Sequence, residues 1–207
     1  MNRNDNLKTI HEIKKLIKIE NMEYNMRKTT VADFDAIMEV EKQAFGYDKE
    51  ARLVAQLLND ETAKPFVSLL AFDKGEAIGH ILFTRAYFSD KEVSPMMHIL
   101  APLAVKPAYQ RQGIGGMLIR EGLRLLQAMG SEVVFVLGHK EYYPKHGFIT
   151  HAAHLGYLPP YPMPEENEVY WMVQAIGPTG YAVGKGNVKC CDELNRPEHW
   201  RNEESDR

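Results

Sequence analysis

Cysteine is almost missing from this 207-residue chain: Cys190 and Cys191 are the only two, adjacent to each other in a polar stretch. They support neither a disulfide framework nor a tetrahedral metal site built from thiols, and they read as reduced thiols. Long apolar runs are missing too. The longest, residues 99–105, has seven members and includes Pro102, against the roughly 20 that span a bilayer. The first 21 residues lack the apolar core and small-residue cleavage site of a secretory signal, so a cytoplasmic protein without a membrane partner is expected. Neither sign of charge is in surplus. The 25 Lys and Arg face 28 Asp and Glu, a net charge of −3, which removes the broad basic field of a general nucleic-acid binder.

What remains is an ordinary globular composition, 44% hydrophobic and 26% charged, on a length that makes one domain with an enclosed core. Residues 1–21 read as a partly ordered basic leader, with Ile13, Leu16 and Ile17 at helical spacing among Lys14, Lys15 and Lys18. Residues 22–177 read as the domain and 178–207 as a C-terminal extension. Within the domain, residues 23–28 suggest a strand, and Thr30 to Asp33 a helix start. Phe34, Ile37, Met38, Glu41 and Phe45 then follow helical spacing, with a second helical stretch at 51–58. Residues 66–72 and 77–88 form a hairpin pattern across Asp73-Lys74-Gly75. A strand at 97–105, a helix at 114–129 and a strand at 132–137 make a crossover unit with parallel strands. A helical turn at 140–146, a strand at Phe148, a proline-rich loop at 158–164 and a last strand at 169–176 complete the pattern.

The junction between the strand at 97–105 and the following helix carries chemistry. Three glycines, Gly113, Gly115 and Gly116, fall within four positions at the start of a helix whose first N–H groups have no partners. An anion is favoured there by the helix dipole, and Arg111 adds a fixed positive charge. The dinucleotide fingerprint is excluded because Leu118 stands where its last glycine belongs. A Walker loop is excluded because no Gly-Lys-Ser or Gly-Lys-Thr follows.

Gln110-Arg111-Gln112-Gly113-Ile114-Gly115 matches every fixed position of the Gln/Arg-x-x-Gly-x-Gly/Ala motif, and in it the chain resembles the GCN5-related N-acetyltransferases (GNAT). The stretches LAPLAVKPAYQRQGIGGMLI and GHKEYYPKHGF are similar in particular to the YhbS-like group of predicted acetyltransferases. The resemblance covers roughly residues 23–176. It implies an α/β GNAT fold with a mixed central sheet of about six or seven strands and about four flanking helices. It also implies that the fourth and fifth strands splay apart. The co-substrate it implies is acetyl-CoA, with no metal. The pyrophosphate would lie on Gln110, Arg111, Gln112, Gly113, Ile114, Gly115 and Gly116, and the pantetheine arm along Leu103, Ala104 and Val105. Pro102 agrees independently, since a residue without an N–H inside a buried-looking strand predicts a bulge or splay.

Acyl transfer needs an oxyanion donor, an acid for the leaving thiolate and a base for the amine. The backbone N–H of Leu103 is the candidate donor. Tyr142-Tyr143-Pro144-Lys145-His146-Gly147-Phe148 is similar to the family's Tyr-x-x-x-Gly-Phe, which aligns Tyr143 with the general acid. The glutamate that many members carry on the fourth strand is absent, which leaves Glu41, His98, His139 or an ordered water chain as base. His146, His151 and His154 are close in sequence but lack a patterned carboxylate, so no metal site is expected. The expected activity is transfer of an acetyl group to a primary amine, small-molecule or peptide, by direct attack in a ternary complex. A non-catalytic acyl-CoA sensor is the alternative, and a homodimer is left open.

Overall fold

The computed structural model describes residues 24–92 and 94–200, so the basic leader expected at 1–21 lies outside the described residues. The chain forms a sheet of eight strands in which β1 (Asn25–Lys28), β2 (Val67–Asp73), β3 (Glu76–Phe88), β4 (Met97–Val105), β5 (Val133–Leu137) and β7 (Trp171–Ala175) lie side by side in that order. The two-residue β6 (Tyr157–Leu158) and β8 (Gly186–Cys190) complete it, β8 pairing with the far end of β3. Neighbours are antiparallel except β4–β5 and β6–β8. The parallel β4–β5 pair, joined through α3 (Ile114–Ala128), is the crossover unit that the pattern at 97–137 predicts.

Both faces of the sheet are covered. On one, α1 (Phe34–Phe45) and α2 (Lys49–Asn59) bury Ile37, Val40, Val54 and Leu57 against Leu70, Leu82 and Ile99. On the other, α3 buries Ile114, Leu118, Ile119 and Leu126 against Leu69, Ile81 and Phe83. The alternation of side chains along β3 sends Leu82 one way and Phe83 the other, so this 13-residue strand serves both layers. Phe83 packs so tightly under α3 that a Cβ on Gly122 would overlap its ring. A capping box starts the segment leading into α1: Thr30 Oγ1 and N–H both donate to Asp33, whose carboxylate also takes two bonds of 2.7 Å from Arg27. Those bonds, the Arg27 one foremost, hold the Asp33 carboxyl well below the usual carboxylate range.

The C-terminal extension packs onto the domain. Residues 186–190 add a strand to β3, and the following turn is tied to the end of α2. Asp192 N–H donates to Thr62 Oγ1 and Glu193 N–H to Asp60 Oδ2. Leu194 and Trp200 then pack into the α1–α2 side. At the expected strand around Phe148, only a single bridge forms, Ile149 to Val173. Residues 165–170, partly assigned to the last strand, make a 3-10 turn before β7. Among the described residues no helix is long and apolar enough to cross a membrane.

Between α1 and the sheet lies a chain of polar groups sealed from solvent. Glu41 Oε1 bonds His80 Nδ1 at 2.5 Å, and His80 Nε2 meets Ser68 Oγ at 2.9 Å. Burial pushes the Glu41 carboxyl up, and the bond to His80 opposes that push. Truncating one partner leaves the other unpaired where water cannot reach. His80→Ala is expected to destabilise the fold by about 3–5 kcal/mol, read in denaturant unfolding. A loss below about 1 kcal/mol would show that the pair is not holding α1 to the sheet.

Candidate active site

β4 pairs with β5 only over its first half, from Met97 opposite Val133 to Leu100 opposite Val136. On its other edge, β4 pairs with β3 along its length, but the register slips between Leu100–Phe83 and Leu103–Ile81. The strand takes one extra residue there, at Ala101-Pro102. This is the distortion that a proline in mid-strand predicts. Beyond the bulge, β4 and β5 diverge and leave an open seam.

The ladder alternation decides which groups face that seam. Lys106 N–H donates to Ile78 C=O across the β3–β4 pair at 2.9 Å. Bonded and non-bonded pairs alternate in an antiparallel ladder, so Ala104, opposite His80, also points its main chain at β3. Leu103 and Val105 point theirs away, into the seam. This corrects the reading of Ala104 as a ligand-binding position, because its polar groups belong to the ladder and its side chain is buried. The Val105 carbonyl is met by Gln110 Nε2 at 3.0 Å, which leaves the N–H groups of Leu103 and Val105 and the Leu103 carbonyl facing the seam.

The seam runs directly into the glycine loop. Arg111 and Gly113 both adopt left-handed backbone, φ +61° and +88°, and Gly113 then caps α3. The first helical bond of α3 is Met117 N–H to Gly113 C=O, so the amides of Ile114, Gly115 and Gly116 precede any helical acceptor. Gly113 is required by its backbone angle. Gly115 and Gly116 are required by space, because the Tyr142 hydroxyl and the His146 ring lie where their Cβ atoms would be. Gln110 and Gln112 brace the loop with their side chains, Gln112 Nε2 donating to Ala108 C=O at 2.9 Å, and line the cleft through the chain around them.

Loop and seam together border a cleft of 720 Å³ whose walls include Leu103, Val105, Arg111, Arg120, Tyr143 and His146. Arg120 and His146 were not anticipated as site residues. Arg120 lies one helical turn beyond Gly116, and His146 sits in the Lys145-His146-Gly147 turn weighed above only for metal binding. Burial, with the charges of Arg120 and Lys145, lowers the His146 imidazole below its ordinary pKa. His151 and His154 lie elsewhere, stacked on each other at 5.2 Å with His154 on Glu168, so the three histidines do not converge.

A second chamber of 420 Å³ opens on the α1–α2 side of the same seam. Leu103, His139 and Tyr143 line both spaces. Tyr143 is 9% exposed, and burial, with Tyr142 beside it, raises its phenol so that it stays protonated throughout the neutral range. Of the three base candidates, only His139 reaches the seam. Glu41 is sealed against His80, and His98 is buried between Ser131 Oγ and the Pro65 carbonyl, each at 2.9 Å. Burial above all brings the His98 pKa down to about 4.

The profile of the Acetyltransferase (GNAT) family matches residues 34–148. The chain belongs to the GNAT acetyltransferase family. It is 53% identical over 164 residues to the uncharacterised N-acetyltransferase YjhQ of Escherichia coli K12, a match covering 79% of this chain and 90% of that one. The crystal structure of the E. coli GNAT family N-acetyltransferase YhbS in complex with CoA superposes with a TM-score of 0.75 at 27% identity, over 84% of this chain and 93% of YhbS. A GNAT family acetyltransferase from Brucella melitensis, in complex with acetyl-CoA, gives 0.65 at 28%, over 84% and 99%. The eight-stranded sheet with its half-parted β4–β5 pair is thus a GNAT fold.

An anion seated on this GNAT loop favours a charged His146. Titrated by NMR, the imidazole is expected below its ordinary pKa of 6.5 in the unliganded protein and to rise when inorganic pyrophosphate is added. Pyrophosphate affinity should then increase as pH falls through the His146 range. An unchanged titration at saturating pyrophosphate would show that His146 does not face the anion.

Proposed function

We propose that this protein is an acetyl-CoA-dependent N-acetyltransferase that acetylates a primary amine by direct attack in a ternary complex. The observation that carries this reading is the seam: unpaired main-chain N–H groups run from the α3 N-terminus to Leu103 and open onto a second chamber behind. The first half suits a diphosphate followed by an extended amide-bearing arm, which adds to β4 as β5 would have done. The second half suits an acceptor. A sensor of acyl-CoA needs only the first, and the shared junction at Leu103, His139 and Tyr143 favours the enzyme.

The acetyl thioester supplies an activated acyl carbon, to which the amine nitrogen bonds as the carbon–sulfur bond breaks. The Leu103 N–H, turned into the seam, donates to the carbonyl oxygen as negative charge grows there. Tyr143 gives its phenolic proton to the leaving sulfur as negative charge develops there. His139 accepts the proton that the ammonium group loses before attack, and the second proton, shed by the nitrogen as the amide forms, restores the Tyr143 phenol. Arg111, Arg120 and His146 hold the phosphate end. Neither cysteine serves as an acyl carrier: both are buried on the β8 side, and burial raises both thiols. We place the reaction in the cytoplasm, with a small-molecule or peptide amine as partner.

Isothermal calorimetry with coenzyme A tests the loop. Gly113→Asp puts a side chain at a left-handed position and a like charge beside the phosphates. It should weaken binding at least about tenfold in a folded protein. Undiminished affinity would remove the loop from the site. Tyr143→Phe should leave coenzyme A affinity within about twofold while lowering kcat roughly a hundredfold on a responsive amine. Equal loss of both would make Tyr143 a packing residue.

A further inference from the structure

The chamber behind the seam is built largely by parts of the chain with no recognisable motif. Phe45 from the end of α1, Glu50 and Leu53 from α2, Pro102 and Leu137 from the parted strands, and Trp200 from the C-terminal segment form its walls. Trp200 is held by its indole N–H, which donates to the Leu194 carbonyl at 2.8 Å, and by edge-on contact with the buried Trp171 at 5.9 Å. Part of the C-terminal extension therefore closes this chamber.

One polar group in it lacks a partner. Glu50 Oε1 accepts a long bond of 3.3 Å from the Tyr47 hydroxyl, whereas Oε2 is shielded from water and has no hydrogen-bond partner among the described residues. A carboxylate oxygen in that position is costly unless a donor or cation arrives. Two neighbouring cationic side chains are directed to Glu193 instead. His199 Nε2 lies against Glu193 Oε1 at 3.3 Å, and Arg196 is bound to the other oxygen of Glu193. Lys49 borders the chamber together with a second carboxylate, Glu198. Two carboxylates, Glu50 and Glu198, thus line the chamber with Lys49, His139, His199, Tyr143 and a larger set of apolar side chains, and its volume of 420 Å³ admits a small molecule.

We propose that Glu50 receives the ammonium group of the acceptor as it enters the chamber, before His139 in the same lining takes its proton, and that the acceptor is a small primary amine on a flat apolar body lying against Trp200. The proposal rests on the acetyltransferase reading and deepens it by naming the acceptor class and the residue that selects it. Neutral analogues of the same shape lose the charged contact and leave Glu50 Oε2 buried alone. Larger polar amines lose the fit to Phe45, Leu53 and Trp200.

Trp200 and the fully buried Trp171 are the only tryptophans in the chain, so intrinsic fluorescence reports on this wall. Protein saturated with coenzyme A is titrated with phenethylamine and, separately, with phenethyl alcohol. A saturable change with the amine is expected, lost in Trp200→Phe, with the alcohol binding at least about tenfold more weakly. In Glu50→Gln, coenzyme A affinity by calorimetry should match the wild type while the preference for amine over alcohol disappears. Equal affinity for amine and alcohol in the wild type, a preference that survives Glu50→Gln, or no saturable change at all overturns the proposal. The wild-type comparison stands even where the variant does not fold. Failure to bind coenzyme A overturns the acetyltransferase reading, whereas binding of coenzyme A without amine selectivity overturns only the Glu50 assignment.

Discussion

One missing N–H organises this molecule. Pro102 cannot donate within β4, and the strand absorbs the defect as a bulge of one residue while staying bonded to β3. The other edge then loses β5 after Leu100. Main-chain groups that a regular sheet would pair are left facing a seam, and the ladder alternation picks out Leu103 and Val105 as the exposed ones. Because α3 begins a few residues later on the same side, its unpaired amides continue that row. Donors for an extended arm and for the anion at its end are thus arranged by the backbone alone.

The rest of the fold keeps the seam open. A parted strand pair tends to collapse unless both layers hold their positions, and here each layer has its own clamp. Phe83 fills the surface beneath Gly122 of α3, and the Glu41–His80–Ser68 chain ties α1 to β2 and β3 on the opposite face. The same arrangement makes Glu41 unsuitable as a base: a carboxyl that fastens a helix to a sheet is sealed from substrate. His98 is removed by the same logic, with both ring nitrogens engaged below the seam. His139, at the end of β5 where the strands separate, is left as the imidazole in reach.

What the sequence makes legible is what short-range spacing controls. Residues 110–116 disclose an anion loop, Pro102 discloses a disrupted strand, and the apolar runs on either side of α3 disclose a parallel pair. Long-range pairing is not legible. Residues 186–190 carry weak strand signals, and their place on β3 follows from the surface left bare beyond Phe83, visible only once the sheet is assembled. Trp200 reaches the second chamber because Asp60 and Thr62 capture residues 193 and 192, two bonds spanning more than a hundred positions. Ala104 was misassigned because a run of three residues on one strand looks uniform in sequence, whereas alternation turns its middle member to the opposite edge. His146 and Arg120 were missed for a related reason. Their position over Gly116 comes from the packing of the 143–146 turn on α3, not from spacing along either element.

Backbone amide chemical shifts followed while coenzyme A is added test the central claim most directly. The account predicts that Leu103, Val105, Ile114, Gly115 and Gly116 show the largest downfield amide-proton changes, with Ala104 moving much less than its two neighbours. Shifts centred elsewhere on the molecule, or equal movement of residues 103, 104 and 105, would contradict a seam lined by alternating main-chain donors.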